Sequence, residues 1–396
     1  MLARDEQISR IDWVARAAAL TPTIAAAADR IETERRIVPE VIAALHEAGL
    51  FRMLLPVSLG GYSADIISFN QVIETIATAD ASTAWCLSQQ AATTQTANFL
   101  DPDVAREIFA APGGCLAWGP LSNARAVIAD GGYIVTGRWR FASGSAHCPW
   151  LGGHCTVIGK DGEPQLDGQG RPVMRSVLFR VEMAQIFDIW DVLGLRGTSS
   201  NAYEVKDLFV PDAYSTWRDS APDRRGDEPL GNIPVLTLYG IGFSGAALGI
   251  ARACLNAFMK LAETKKPVAV NGAPILLRDN AVVQSRVAEA TGQLNSARAY
   301  LHEMLHLFWD AATAHRPVTL EQRAQLRIAI VAAIEQACRV VDFSFRAAGS
   351  DAIFAGGAFE RRFRDMHTLA AQGQAHLSNY EGAGQALFGV EPVQRL

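Results

Sequence analysis

Apolar residues recur at three- and four-residue spacing through most of the first 112 positions. In "IDWVARAAALTPTIAAAADRIETERR" that spacing predicts an amphipathic helix. "VPEVIAALHEAG" places Pro39 at a helix start and Gly49 just past its end, the usual asymmetry of helix termini. The pattern continues through "SFNQVIETIATADASTAWCLSQQAATTQTANFL", and Asp101-Pro102 opens another helix. Near Gly113–Gly114 the period changes. Residues 115–215 alternate apolar and polar positions and carry paired glycines and turns such as "KDGE" and "DGQGRP", which predicts strands. "DSAPDRRGDEPLGNIP" reads as a polar, proline-rich linker, and helical spacing returns near 235–262, 275–313, 318–349 and 358–388. Helices, a β insert and a second helical block give an α+β order, mostly α, without βαβ alternation. The expected domains are 1–112, 113–216 and 217–396.

Composition narrows the class. A chain of 396 residues has room for two or three domains around a large core. With 49% apolar and only 19% charged residues, burial is extensive and extends to subunit interfaces. The net charge is −5 and the basic residues are scattered, which argues against a nucleic-acid partner. "MLARDEQISRIDW" lacks the apolar stretch of a signal peptide, and no run approaches 18 apolar residues without a charge. The expectation is a cytoplasmic protein with no membrane partner and six reduced cysteines.

Three motifs invite chemistry. "HCPWLGGHC" (147–155) holds two His-Cys pairs, but in a strand each pair would diverge. Seven residues at roughly 3.3 Å separate the pairs by about 23 Å, against metal bonds of about 2.0–2.3 Å. "HEMLH" (302–306) puts two histidines on one helix face, with no third ligand and no second Glu-x-x-His for a di-iron site. "GIGFSG" (240–245) lacks the preceding strand and the later acid of a dinucleotide site. Its small residues, with Gly240, Ser244, Ala247 and Gly249, suit close helix packing instead. No metal site is expected.

The order of several longer blocks is more informative. "ERRIVPEVIAALHEAGLFRMLLPVSLGG" (34–61), "ADASTAW" (79–85), "GGYIVTGRWRFASG" (131–144), "WDVLGLRGTSSNAYEVKDLFVP" (190–211), "ALGIARACLNAF" (247–258) and "FRDMH" (363–367) occur in sequence. Together they resemble the acyl-CoA dehydrogenase fold, an N-terminal helical domain, a middle β-barrel-like domain and a C-terminal four-helix bundle. Within that superfamily the chain is most similar to two-component flavin-dependent monooxygenases. These include 4-hydroxyphenylacetate and steroid-phenol hydroxylases and dibenzothiophene and indole-type monooxygenases. The resemblance implies reduced FMN or FAD delivered by a separate NAD(P)H-dependent reductase, and O2 as co-substrate. It also implies a C4a-(hydro)peroxyflavin that oxygenates a small aromatic or heteroaromatic substrate, and a homotetramer.

It further implies roles for single residues. "FASG" takes the place of the flavin-contacting strand, with Phe141 and Ser143 at its aromatic and hydroxyl positions and Ser143 as a donor near N5. Trp118 of "AWGP" and Arg364 join them at the cofactor, and Lys265, Lys266 and Gln284 would complete a neighbouring subunit's flavin site. Thr93, His147, Trp190 and Asn201 are the substrate candidates. Phenol hydroxylases of this group carry histidines eight residues after the "AW" tryptophan and eight after the "RD" arginine. Here those positions hold Thr93 and Gln372, with His376 a turn further on. A neutral heteroaromatic such as an indole therefore fits better than a phenolate. Residues 364–388 are expected to form one helix over the flavin, with Gln372 and His376 on one face as catalytic residues and Glu381 about 180° away. The alternative is an acyl-CoA dehydrogenase or oxidase with Glu381, in "NYEG", as base.

Overall fold

The computed structural model describes residues 11–120, 123–218, 223–267 and 274–393. The N-terminal block comprises α1 (Trp13–Glu34), α2 (Pro39–Glu47), α3 (Ile66–Ala79), α4 (Ala81–Thr93) and a short α5 (Pro102–Ala105). Aspartates cap four of them: the Asp12, Asp65, Asp80 and Asp101 carboxylates accept from Ala15, Ser68, Thr83 and Asp103 N–H at 2.8, 2.7, 2.7 and 2.9 Å. Three long helices follow the strands, α6 (Val235–Ala262), α7 (Ala281–Thr313) and α8 (Leu320–Ala348), the last opened by a Thr319/Gln322 capping box.

The "GIGFSG" stretch lies inside α6, the central helix of the molecule. A Cβ added at Gly245 would stand 2.6 Å from the Asn70 carbonyl oxygen, and one at Gly249 2.2 Å from that of Glu74. Glycine thus lets α6 and α3 approach backbone to backbone. Contrary to the composition-based expectation, α6 is long and apolar enough to cross a membrane. Its most apolar window is 89% buried within the fold, however, and one continuous core joins residues of α1, α3, α4, α6, α7 and α8. Each fully buried Ile, Leu or Phe in that core contributes about 1.5–3 kcal/mol. In "HEMLH", His302 Nε2 lies 3.2 Å from Asn70 Oδ1, tying α7 to α3.

Between the helical blocks lie β1 (Leu116–Gly119), β2 (Arg125–Ala129), β3 (Gly132–Ala142), β4 (Trp150–Ile158), β5 (Met174–Arg180), β6 (Gln185–Phe187), β7 (Asn201–Pro211) and β8 (Ser215–Thr216). The ladder runs β6-β7-β3-β2-β4-β5-β8, and β1 pairs in parallel with β4 on the same edge as β2. The expected β-barrel-like middle domain is this eight-stranded sheet, in which, among the described residues, no pairing joins β6 to β8. Trp139, Tyr203 and Phe179 fill its inner face. The link that matters for function is β3 with β7, which sets Ala142 beside Asn201.

The single C-terminal helix expected over 364–388 is not formed. α9 (Glu360–Ala370) stops, a 3-10 turn covers Gly373–Ala375, and α10 (Asn379–Leu387) starts anew. Side chains hold the break: Gln372 Oε1 accepts from Gln374 N–H at 2.6 Å, and Asn379 Nδ2 donates to the carbonyls of Gly373 and His376 at 2.8 and 2.7 Å. These local bonds compete with helix continuation next to the poor helix former Gly373. The fourth helix of the expected bundle is thus two short helices on α8.

Candidate active site

The site is built where β3 ends. The β3–β7 register slips between Trp139 and Ala142, and Phe141 sits in the slip with φ +61°. A non-glycine residue in this region costs of order 1 kcal/mol or more, so the surrounding pairing must enforce it. Phe141 is 53% exposed and meets Trp190 edge-on at 6.1 Å. The chain then turns through Ser143–His147, with Gly144 at φ +80°. His147 and Cys148 therefore lie in a turn and not in the expected strand. His154 and Cys155 do lie in β4, on opposite faces.

Ser143 is buried at the centre of a chain of hydrogen bonds. Trp85 Nε1 donates to Ser143 Oγ at 2.9 Å, and the ring of Trp85 stacks on Phe243 at 4.0 Å and 3°. Ser143 Oγ lies 2.7 Å from Ser200 Oγ, which lies 2.7 Å from Thr198 Oγ1. Thr198 Oγ1 donates to the Leu195 carbonyl at 2.9 Å. Gln90 Nε2, five residues beyond Trp85 in α4, donates to the Ser143 carbonyl at 2.8 Å. Ser143 is thus not the free hydroxyl the sequence suggested.

The loop carrying Thr198 and Ser200 is pinned on several sides. Leu195 and Ser199 have φ +52° and +45°. Leu195 N–H donates to Asp365 Oδ1 at 2.6 Å, Gly197 N–H to Ser82 Oγ at 3.2 Å, and Ser199 Oγ to the Arg35 carbonyl. Burial raises the Asp365 carboxyl to about 7, against the opposing pull of its bond from Leu195 N–H. Trp190 Nε1 donates to the Leu195 carbonyl at 3.0 Å, so the indole is a strut of this loop as well as a wall beside Phe141.

An aromatic row extends from Trp85. Tyr239 stacks beside Phe243 at 6.1 Å, Arg218 places its guanidinium 3.8 Å over Trp118, and Trp118 meets His154 at 4.9 Å. Burial pushes His147 down to about 4 and His154 to about 3, so both imidazoles are neutral near pH 7. Thr93 Oγ1 lies 2.9 and 3.0 Å from the carbonyls of Gln90 and Leu116, joining α4 to β1. Gln90 Oε1, His147 Nε2 and Asn201 Oδ1 are buried and unpartnered within the chain. A displayed aromatic ring at Phe141, with acceptor atoms at Ser143 and Asn201 on the adjoining strand ends, fits an isoalloxazine, which has two aromatic faces and ring N–H groups.

Other candidates stand apart. Arg364 is held by Glu32, Glu360 and the Leu193 carbonyl at 2.8, 2.7 and 2.7 Å. It borders a surface cleft of about 620 Å³ with Leu193 and Arg196. Lys265 Nζ is engaged by Asp351 and the Ala348 carbonyl at 2.6 and 2.7 Å, and Gln284 by the Arg278 carbonyl at 2.9 Å, while Lys266 is exposed. Among the described bonds none joins these three to Phe141 or Ser143. Because the helix breaks, Gln372 and His376 do not share a helix face. Gln372 caps the turn with its Nε2 buried and unpartnered, and His376 is exposed and bonded to Ser378. Glu381 is exposed on α10. The site residues that sequence reasoning passed over are Gln90, Thr198, Ser200, Phe243 and Asp365. The adjacent hydroxyls of "GTSS" were the available signal.

Residues 11–103 match the Acyl-CoA dehydrogenase, N-terminal domain, and residues 241–377 the Acyl-CoA dehydrogenase, C-terminal domain. The oxygenase subunit HsaA of a flavin-dependent monooxygenase from Rhodococcus jostii is 30% identical across 94% of this chain and 95% of its own. The chain belongs to the flavin-dependent monooxygenases of the acyl-CoA dehydrogenase fold. An indole-3-acetate monooxygenase of Pseudomonas putida is 28% identical over 91% of this chain and 90% of its own. The crystal structure of a 3-HSA hydroxylase from Rhodococcus sp. RHA1 superposes with a TM-score of 0.87 at 27% identity, covering 98% of this chain and 99% of that one. In this flavin-dependent monooxygenase, the β3 end and the "GTSS" loop are tied together by buried hydrogen bonds.

Proposed function

We propose that this monooxygenase is the oxygenase component of a two-component system acting on a small, neutral heteroaromatic substrate of the indole type. Reduced FMN or FAD would come from a separate NAD(P)H-dependent reductase. When bound, the reduced flavin would supply the two electrons that activate O2, so that one oxygen atom passes to the substrate and the other leaves as water. The chain's own part is to bind and orient. Phe141 and Trp190 offer aromatic surface at the β3 end, Ser143 stands at the N5 edge, and Asn201 Oδ1 offers an acceptor to a ring N–H. Trp118 and Arg364 remain the outer cofactor candidates. Lys265, Lys266 and Gln284 belong to this reading only as residues facing a neighbouring subunit in a homotetramer. A cytoplasmic location belongs to the same reading.

The observation that carries it is the buried Ser143 beside the exposed, strained Phe141 ring. The substrate class follows from the histidines. A phenolate-forming enzyme needs a base near its working pH; burial holds His147 well below that range, and Asp365, raised to about 7, is enclosed against Leu195 N–H. Thr93 spends its proton on backbone carbonyls and offers no base either. The test combines the protein, a flavin reductase, NAD(P)H and indole under ¹⁸O₂. The proposal requires one ¹⁸O atom in the product. Unlabelled product, or oxidation of an acyl-CoA in its place, would refute it.

A further inference from the structure

The three hydroxyls of Ser143, Ser200 and Thr198 own three protons between them. Three links need a hydroxyl proton: Thr198 to the Leu195 carbonyl, Thr198 to Ser200, and Ser200 to Ser143. A carbonyl oxygen cannot donate, so the 2.9 Å Thr198–Leu195 contact takes the Thr198 proton, which that carbonyl accepts beside Trp190 Nε1 and Thr198 N–H at 3.0 and 3.1 Å. Ser200 must then donate to Thr198, and Ser143 to Ser200. No proton is left over. At the other end stands the Trp85 indole, which can only donate, and its stacking on Phe243 fixes it in place. Ser143 Oγ therefore spends its proton inward, accepts from Trp85, and retains one lone pair. What it presents to the site is an acceptor. This reverses the donor role assigned from the sequence.

We propose that Thr198 and Ser200 are positioning residues that lock Ser143 as a hydrogen-bond acceptor, so that the site selects flavin with hydrogen on N5 over oxidised flavin. The inference rests on the reading that Ser143 meets the N5 edge. Reduced flavin carries a hydrogen on N5 and can donate it to the free lone pair. Oxidised flavin has a lone pair at N5, which would face the lone pair of Ser143. To serve it, Ser143 must turn its proton outward and leave buried Ser200 with one bond fewer. An oxygenase that borrows its flavin needs this preference, because it must take the reduced form and release the oxidised one. The loop is built to hold the polarity. Leu195 and Ser199 accept left-handed backbone, and Asp365, Ser82 and Arg35 anchor the segment.

The test is equilibrium binding. Dissociation constants are measured for oxidised FMN and FAD by fluorescence and for the reduced forms anaerobically. Wild type should bind reduced flavin more tightly. Ser200→Ala and the near-isosteric Thr198→Val each free the Ser143 proton. Each should lower the oxidised-to-reduced ratio of dissociation constants about tenfold, equivalent to about 1.4 kcal/mol. Thr198→Ser keeps the hydroxyl and should keep the wild-type ratio. In a Ser143→Ala background, Ser200→Ala should change nothing further. If Ser143→Ala moves the ratio while Ser200→Ala and Thr198→Val leave it within twofold, the polarity lock is wrong and the placing of Ser143 survives. If Ser143→Ala alters neither affinity, the placing itself fails and the lock falls with it. Thermal melts establish that each variant is folded, and either of the two relay variants alone decides the question.

Discussion

Asp365→Asn separates the charge of a buried carboxyl from its shape. Asp365 is fully enclosed and accepts from Leu195 N–H at 2.6 Å. Glu32 on α1 and Asp80 at the start of α4 disfavour its ionisation, and Arg364 favours it, but burial dominates. Its midpoint moves from 3.8 to about 7. At about 1.36 kcal/mol per pH unit, that displacement is worth up to about 4 kcal/mol. The sign follows from proton counting. Between pH 4 and 7 the folded chain keeps a proton that the unfolded chain has released, so stability falls as pH rises and levels off above 7. An asparagine keeps an acceptor for Leu195 and has no proton to lose. Urea denaturation of both proteins at several pH values gives the difference, in which the other titrating groups cancel. Asp365→Asn should match wild type below about pH 4 and gain on it up to pH 7, by as much as about 4 kcal/mol. A difference independent of pH, or a variant less stable at every pH, would refute the reasoning.

His147 acts in the opposite direction. Its midpoint falls from 6.5 to about 4, so its contribution is complete above pH 6.5 and is lost as pH drops toward 4, about 3 kcal/mol in all; His147→Gln should flatten that acid limb in the same denaturation experiment. Glu381→Gln should leave oxygenation within about twofold and reveal no acyl-CoA oxidation, since Glu381 is exposed on α10; a large loss would revive the dehydrogenase alternative. Trp85→Phe keeps the stack on Phe243 and removes the donor to Ser143. It should cost about 1 kcal/mol of stability in urea, and a cost near zero would show that the indole N–H is not bonded as described.

Much of the architecture was legible because period and punctuation agreed. Helical spacing set α6 at 235–262, as observed, and the change to alternation after Gly114 located the sheet. The C-terminal break was misread because Gln372 and Asn379 act through side-chain caps that a hydrophobic pattern does not register, although Gly373 was a warning. His147 was misplaced for a similar reason, since "SGS" with a left-handed Gly144 turns the chain before β4. The resemblance points to Ser143, but not to its hydrogen-bond partners. Its partners lie 58 residues before it and 57 after, and only folding brings them together. Lys265 likewise meets Asp351 far along the chain, which no local reading could show.

In the proposed reaction, oxygen is activated on borrowed reduced flavin at the Ser143 site. Stopped-flow mixing of the protein and reduced FMN or FAD with oxygenated buffer tests it most directly. An absorbance transient distinct from both reduced and oxidised flavin is expected, long-lived in wild type and shorter in Ser143→Ala. Loss of one such hydrogen bond typically costs roughly 0.5–1.5 kcal/mol. Direct conversion of reduced to oxidised flavin with release of peroxide and no transient, in wild type and variant alike, would contradict it.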